Sequence, residues 1–178
     1  MKKVEKIFIG FFIFVCLICC FCCFTVVAFP LKYKNTILKE CEINNVDSVL
    51  VASIIYAESR FKKDIVSSKG AIGLMQIMPK TGESFYDGDN EFDCLLLYDP
   101  KINIQIGVEF LQYLFKKYND EVTVLACYNA GEGVVNKWKG NNDFLQKTQI
   151  PYKETLNYVK KVQKVKKIYK FRIKNILF

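Results

Sequence analysis

The apolar positions of this chain fall into two regimes. From Ile7 to Phe29 there are 23 consecutive residues without a charge, preceded by Lys2, Lys3 and Lys6. As a helix rising about 1.5 Å per residue this run extends about 34 Å, enough for a hydrocarbon core of roughly 30 Å. Val26-Val27-Ala28 offers the small residues of a cleavage site, but the apolar core of a secretory signal runs about 7–15 residues. An uncleaved membrane anchor over residues 1–30 is therefore the expectation, with a cleaved signal as its rival. Beyond a short connector after Pro30 the apolar positions become periodic.

Ile43, Val46, Leu50, Ile54, Ala57 and Phe61 step by three or four residues, which predicts a helix with one apolar stripe and Asn44 or Asn45 as its cap. Residues 66–82 hold Gly70, Gly73, Gly82 and Pro79 and read as a loop around a short helical turn, with Met75 in the core. Asp99-Pro100 is a helix start, followed by the stripe Ile104, Gly107, Val108, Leu111, Leu114, Phe115 and Tyr118. Gly107 inside that helix costs about 1 kcal/mol relative to alanine, so another backbone is expected to pack against it. A short helix over 120–128 should stop at Asn129-Ala130-Gly131, and one or two turns follow over 133–138. Pro151 opens a last helix with Tyr152, Leu156, Val159, Val162, Val165 and Tyr169 on one face. No run alternates as a strand does, so the fold is mainly α.

Composition narrows the chemistry. The chain has no histidine, which removes the commonest general base and metal ligand and leaves proton transfer to carboxylates, tyrosines, lysines or cysteines. Five of the eight cysteines, Cys16, Cys19, Cys20, Cys22 and Cys23, lie in the apolar run and read as small apolar fillers rather than metal ligands. Cys41, Cys94 and Cys127 have no zinc-like spacing, and a Cys41–Cys94 disulfide is allowed but not required. No metal and no cofactor are expected.

The net charge is +8, concentrated toward the carboxyl end in Lys160, Lys161, Lys164, Lys166, Lys167, Lys170, Arg172 and Lys174. No aromatic platform or nucleic-acid motif accompanies these charges, so nucleic acid is not an expected partner. A solvated helix face is the plain reading, and attraction to anionic wall or lipid groups the next.

Glu58 is the residue to which carboxylate chemistry falls first. It shares a helix face with Ile54, Ile55 and Phe61 and lies near the carboxyl end of its helix, where the dipole disfavours an anion. Both effects favour the protonated form that a general acid needs near neutral pH. The competing reading is a surface glutamate at a helix end. Asp87, Asp89 and Asp93 are the candidates for a second carboxyl, although that stretch reads as a solvated loop.

Four motifs stand in order: Glu58-Ser59; Gly70-Ala71-Ile72-Gly73-Leu74-Met75-Gln76-Ile77-Met78-Pro79; Cys127-Tyr128-Asn129-Ala130-Gly131; and Glu154-Thr155-Leu156-Asn157-Tyr158-Val159. Together, with Asp99-Pro100 and Asn103-Ile104 between the second and third, they resemble the catalytic domain of the soluble lytic transglycosylases, which has a lysozyme-like fold and acts on peptidoglycan. The resemblance covers about residues 33–170, leaving residues 171–178 as a basic tail. Cys127 stands where the family usually has alanine, a small-for-small change.

The resemblance implies Glu58 as sole catalytic acid/base. It implies substrate contacts for Ser67, Gln76, Met78, Tyr128, Asn129 and Glu154. It further implies cleavage of the β-1,4 bond between N-acetylmuramic acid and N-acetylglucosamine with closure of a 1,6-anhydro ring. The expected partners are then glycan strands and, through the amino-terminal helix, the cytoplasmic membrane, with the catalytic domain on the extracytoplasmic side, or secreted if the segment is cut. Plainer roles compete at several positions: a turn cap for Ser67, core for Met78, a helix stop for Tyr128 and Asn129, and a dipole partner for Glu154. Two other functions compete with the first: a hydrolytic muramidase on the same fold, and a non-catalytic wall-binding module.

Overall fold

The computed structural model describes the backbone over residues 2–176 and the side chains over residues 7–20 and 29–171. It divides into two compact units, Met1–Pro30 and Leu31–Phe178. The first is a single helix, α1 (Lys2–Ala28), whose described apolar side chains lie exposed, Phe8 at 69% and Phe12 at 68%. The anchor reading rests in part on side chains 21–28, which lie outside those described. Among the described residues no helix is long and apolar enough to cross a membrane.

The second unit is helical: α2 (Lys34–Asn44), α3 (Ser48–Ser59), α4 (Pro79–Phe85), α5 (Pro100–Tyr118), α6 (Glu121–Ala130), α7 (Glu132–Lys139) and α8 (Lys153–Ile176), with short 3₁₀ turns at Cys94–Tyr98 and Lys147–Gln149. Among the described residues there is no strand, only two isolated bridges, Val66 with Ile72 and Ile72 with Ile77. This agrees with the mainly α reading.

The central element is α3. Leu50, Val51, Ala52, Ile54 and Ile55 are each at most 1% exposed, so it is apolar on nearly every side, as a helix enclosed by others must be. It packs along α8, which in turn packs on α6, while α2 packs on both α3 and α5. Lys166 of α8 ties the ends together, 3.0 Å from Asp47 at the start of α3 and 2.6 Å from Glu121 in the first turn of α6.

Several sequence expectations are corrected. The stripe from Ile43 to Phe61 is not one helix. Asn45, in the left-handed region at φ 52°, ends α2, and Asp47 caps α3 by accepting from the Val49 amide at 2.9 Å. Ile43 is 66% exposed. The stripe of α2 is Ile37, Cys41 and Asn44, one buried residue per turn and therefore faint. Against Gly107 lies a side chain rather than a backbone: an added Cβ would stand 2.3 Å from Met75 Sδ. The last helix starts at Lys153, leaving Tyr152 58% exposed, and its buried face includes Thr155 and Tyr158. Cys41 and Cys94 are free thiols, one buried and one exposed.

The loop before α4 is fixed by one amide. Asn103 of α5 is fully buried. Its Nδ2 donates to the Ile72 carbonyl at 3.0 Å and the Leu97 carbonyl at 2.8 Å, and its Oδ1 accepts from the Met75 amide at 2.8 Å. Gly73 (φ 81°) makes room for it, since a Cβ there would lie 2.3 Å from that Nδ2. Leucine in place of Asn103 strands the Met75 donor and the Leu97 acceptor, each costing about 1–3 kcal/mol, while the Ile72 carbonyl keeps the Ile77 amide. Asn103→Leu is therefore expected to lower the unfolding free energy by about 2 kcal/mol or more in urea titration, and a loss below about 1 kcal/mol would refute this account of the loop.

Candidate active site

Glu58 is the penultimate residue of α3. Immediately after the helix Arg60 (φ 51°) and Phe61 (φ 62°) are both left-handed, a conformation unfavourable for side chains with a Cβ. The double reversal turns the chain sharply and seats Phe61 in the core at 2% exposure, so the apolar ring holds the carboxyl end of α3 in place. Ser59 is buried, its Oγ donating to the Ile55 carbonyl at 3.1 Å.

The Glu58 carboxyl is only partly open to solvent, and burial pushes its pKa up to about 7. Two groups of α8 oppose that rise: the Tyr158 hydroxyl and the Lys161 ammonium. Lys161 reaches inward from an exposed position, its Nζ donating to the carbonyl of Ala57, the residue before Glu58. Burial lowers its own pKa, while the Glu58 charge acts the other way. Tyr158 Oη is buried and, among the described residues, has no partner at hydrogen-bond geometry. Its effect on Glu58 is that of a nearby hydroxyl rather than of a formed bond. Tyr158 and Tyr128 are both held far above the ordinary phenol range, by burial first and then by the Glu58 charge, so both stay neutral donors.

The loop of residues 65–77 forms the adjoining wall. Ile72 and Ile77 exchange backbone hydrogen bonds at 2.9 and 3.0 Å, and the Gly73 amide donates to the Ile65 carbonyl at 2.9 Å. Gln76, left-handed at φ 50°, donates from Nε2 to the carbonyls of Ile65 at 3.0 Å and Gly73 at 2.9 Å. Both amide protons are thus spent within the loop. The Tyr128 hydroxyl donates to the Met75 carbonyl at 2.8 Å, joining α6 to the same loop. Glu58, Gln76 and Tyr128 are in this way brought to one region.

The other expected residues fall around it. Met78 is 42% exposed at the start of α4, whereas Met75 is fully buried. Ser67 Oγ accepts from the amides of Ala71 at 3.0 Å and Lys69 at 3.3 Å, the turn-capping role. Asn129 is partly buried in the last turn of α6, next to Tyr128. Glu154 is exposed and pairs with Lys69 at 3.5 Å. It lies one turn before Tyr158 on the same face of α8, on the side of the 65–77 loop.

Asp87 and Asp93 are exposed, the first accepting from Gln105 and the second from the Leu95 amide. No group of three or more metal-ligating side chains occurs among the described residues. Tyr158 and Lys161 were not anticipated as site residues. Helical spacing puts positions 154, 158 and 161 on one face of α8, but only the packing of α8 on α3 turns that face toward Glu58.

A helical domain that presents one half-buried, proton-retaining glutamate beside a glycine-rich loop and two neutral tyrosines is of the lysozyme-like fold class. The chain belongs to the transglycosylase SLT domain family, whose model matches residues 35–151. It is 33% identical over 150 residues to the soluble lytic murein transglycosylase of Salmonella typhimurium, covering 75% of this chain and 22% of that protein. It is 30% identical over 171 residues to the membrane-bound lytic murein transglycosylase C of Haemophilus influenzae, covering 80% and 47%. The 70-kDa soluble lytic transglycosylase of Escherichia coli superposes with a TM-score of 0.76 at 30% identity, over 84% of this chain and 26% of that one. A complex of the 70-kDa soluble lytic transglycosylase with bulgecin A gives 0.77 at 31% identity, again over 84% and 26%. The chain thus spans between about a quarter and just under a half of the length of these relatives.

Two outcomes follow from the electrostatics. A folded-state pKa raised from 4.5 to about 7 means that the native state holds a proton the unfolded chain has released, so this contribution to stability is present below the unfolded value and is lost as pH rises through about 7. Glu58→Gln is expected to melt higher than the wild type above that pH and to converge with it toward pH 4.5, as calorimetry across this range would register; parallel melting curves would contradict it. Lys161→Met removes the cation that favours the carboxylate, and Glu58 should then titrate at higher pH, read from its carboxyl carbon shift by NMR.

Proposed function

We propose that this chain is a peptidoglycan lytic transglycosylase that cleaves the β-1,4 bond between N-acetylmuramic acid and N-acetylglucosamine, with Glu58 as its acid and base. The observation that carries the reading is the half-buried Glu58 carboxyl, pushed up to about 7, and family membership supports it. Protonated Glu58 gives its proton to the glycosidic oxygen as the bond from that oxygen to C1 of the muramic acid breaks. The carboxylate then takes the proton of the same sugar's 6-hydroxyl as O6 bonds to C1. The 1,6-anhydro ring closes, Glu58 is restored, and no water is consumed. A second carboxylate, which glycoside hydrolysis usually employs, is not needed.

The positive charge of Lys161 and the hydroxyl of Tyr158 suit a carboxyl that must exist in both states within one turnover. Gln76, Met78, Asn129, Ser67 and Glu154 are assigned to the substrate side of the site, Gln76 and Ser67 by shaping the 65–77 loop and Met78 by its exposed position. Residues 1–30 are assigned as a membrane anchor and 33–170 as the catalytic domain, followed by a basic tail over 171–178. The uninterrupted apolar sequence and the exposed side chains of Phe8 and Phe12 support the anchor, which would hold the enzyme at the outer side of the cytoplasmic membrane.

Mass spectrometry of digested peptidoglycan tests the reading. The expected muropeptides end in anhydromuramic acid, lighter by one water than hydrolysis products, and Glu58→Gln should slow their release by about 10²–10⁴-fold. Products with reducing muramic acid ends would instead indicate a hydrolytic muramidase, and undiminished release by the variant would remove Glu58 from the chemistry.

A further inference from the structure

The outer face of α8 carries a feature that the proposed reaction does not use. A cavity of about 520 Å³ lies between α8 and the segment before it, lined by Lys147, Lys160, Lys164, Lys167 and Lys170, with Gln163, Lys166 and Glu121. The one acid in this lining, Glu121, is already engaged with Lys166 at 2.6 Å. Among the described residues none of the other five lysines has an ion-pair partner, unlike Lys69, Lys117 and Lys166. Lys160, Lys164 and Lys167 occupy one side of the helix at spacings of four and three, so like charges face one another along it at a cost to the free helix. Lys160, Lys164 and Lys167 project from the side of α8 opposite Tyr158.

We infer that this lysine-lined trough binds a linear phosphodiester polyanion of the cell envelope, of the poly(glycerol phosphate) class. The chemistry of the lining selects among anions. It offers only compact ammonium charges, which meet the oxygens of successive phosphates as point charges and need no planar, bidentate geometry from the anion. It contains no aromatic ring on which a nucleobase would stack and no apolar side chain to enter a bilayer, as surface-bound helices require. From Lys160 to Lys170 the charges extend over about 15 Å of helix, with Lys147 beyond the helix, which suits a strand laid along a trough better than a single ion. Binding there would retain the enzyme within an anionic wall while leaving Glu58 free.

Titration of the full-length protein with fluorescent poly(glycerol phosphate), at low and at physiological salt, tests the assignment. The wild type should bind, weakening steeply with salt. In Lys164→Gln/Lys167→Gln affinity should fall at least tenfold, and the slope of log Kd against log salt by about two. Melting temperature and release of muropeptides from polymer-free glycan strands should match the wild type, so a failure of binding is distinguishable from a failure of the Glu58 chemistry. Absence of binding at low salt, or unchanged affinity and slope in the double variant, would overturn the proposal. So would tighter, lysine-dependent binding to duplex DNA or to vesicles of anionic lipid, which would give the trough to those partners.

Discussion

One buried amide holds the candidate site together. Asn103 uses both of its protons and one acceptor position on three different backbone groups, joining α5 to the 72–75 loop and to the 3₁₀ turn at Leu97. A loop rich in glycine would otherwise be conformationally expensive to order. The amide supplies the loop with the partners a helix or sheet would have given it, and Gly73 leaves space that a Cβ would fill. Met75 then follows Gly73 into the contact with Gly107, its carbonyl receives the Tyr128 hydroxyl, and Gln76 closes the turn from within. The apolar face of α5 and the loop that walls the site are thus joined through the same three hydrogen bonds.

The electrostatics of Glu58 arise from a contest between two helices. α3, apolar on nearly all sides, withdraws water from the carboxyl and favours its neutral form. α8 answers with a phenol and an ammonium, which favour the charged form. Burial is the larger effect, so the acid holds its proton to about neutral pH rather than far above it. A carboxyl balanced in this way can lose and regain one proton without a second carboxylate and without histidine, of which the chain has none.

Sequence periodicity disclosed those elements that bury a wide apolar face or begin with a strong cap. Asp99-Pro100 marks α5 because the aspartate accepts from two amides of the first turn, and α6 is bounded by Asp120 and Gly131 for similar reasons. The mainly α class and the family were legible from these signals and from the ordered motifs. α2 was not, because only one residue per turn is buried and the remainder of the helix is polar. The break between α2 and α3 was hidden because Ile43 and Val46 happen to continue the spacing of the next helix. Gly107 signalled close packing correctly, but sequence does not distinguish a side chain from a backbone as the neighbour. At the site, Glu58 could be singled out from its apolar surroundings. Tyr158 and Lys161 could not, because their effect on Glu58 depends on α8 crossing α3, a long-range contact that local spacing does not encode.

The same crossing explains how α8 can carry so many lysines. An isolated helix of this composition would be opposed by repulsion between successive ammonium groups. Here Val159, Val162, Val165 and Tyr169 are buried against the rest of the domain, and each such side chain contributes about 1.5–3 kcal/mol, more than the few tenths of a kcal/mol lost to each like-charge pair. Lys166 is also neutralised where it sits, between Asp47 at the cap of α3 and Glu121 of α6, in keeping with the rotation that the buried face sets for α8 about its own axis. That rotation places Tyr158 and Lys161 toward Glu58 and the unpaired lysines on the far side. A single orientational constraint therefore separates a face that tunes one proton from a face that accumulates charge.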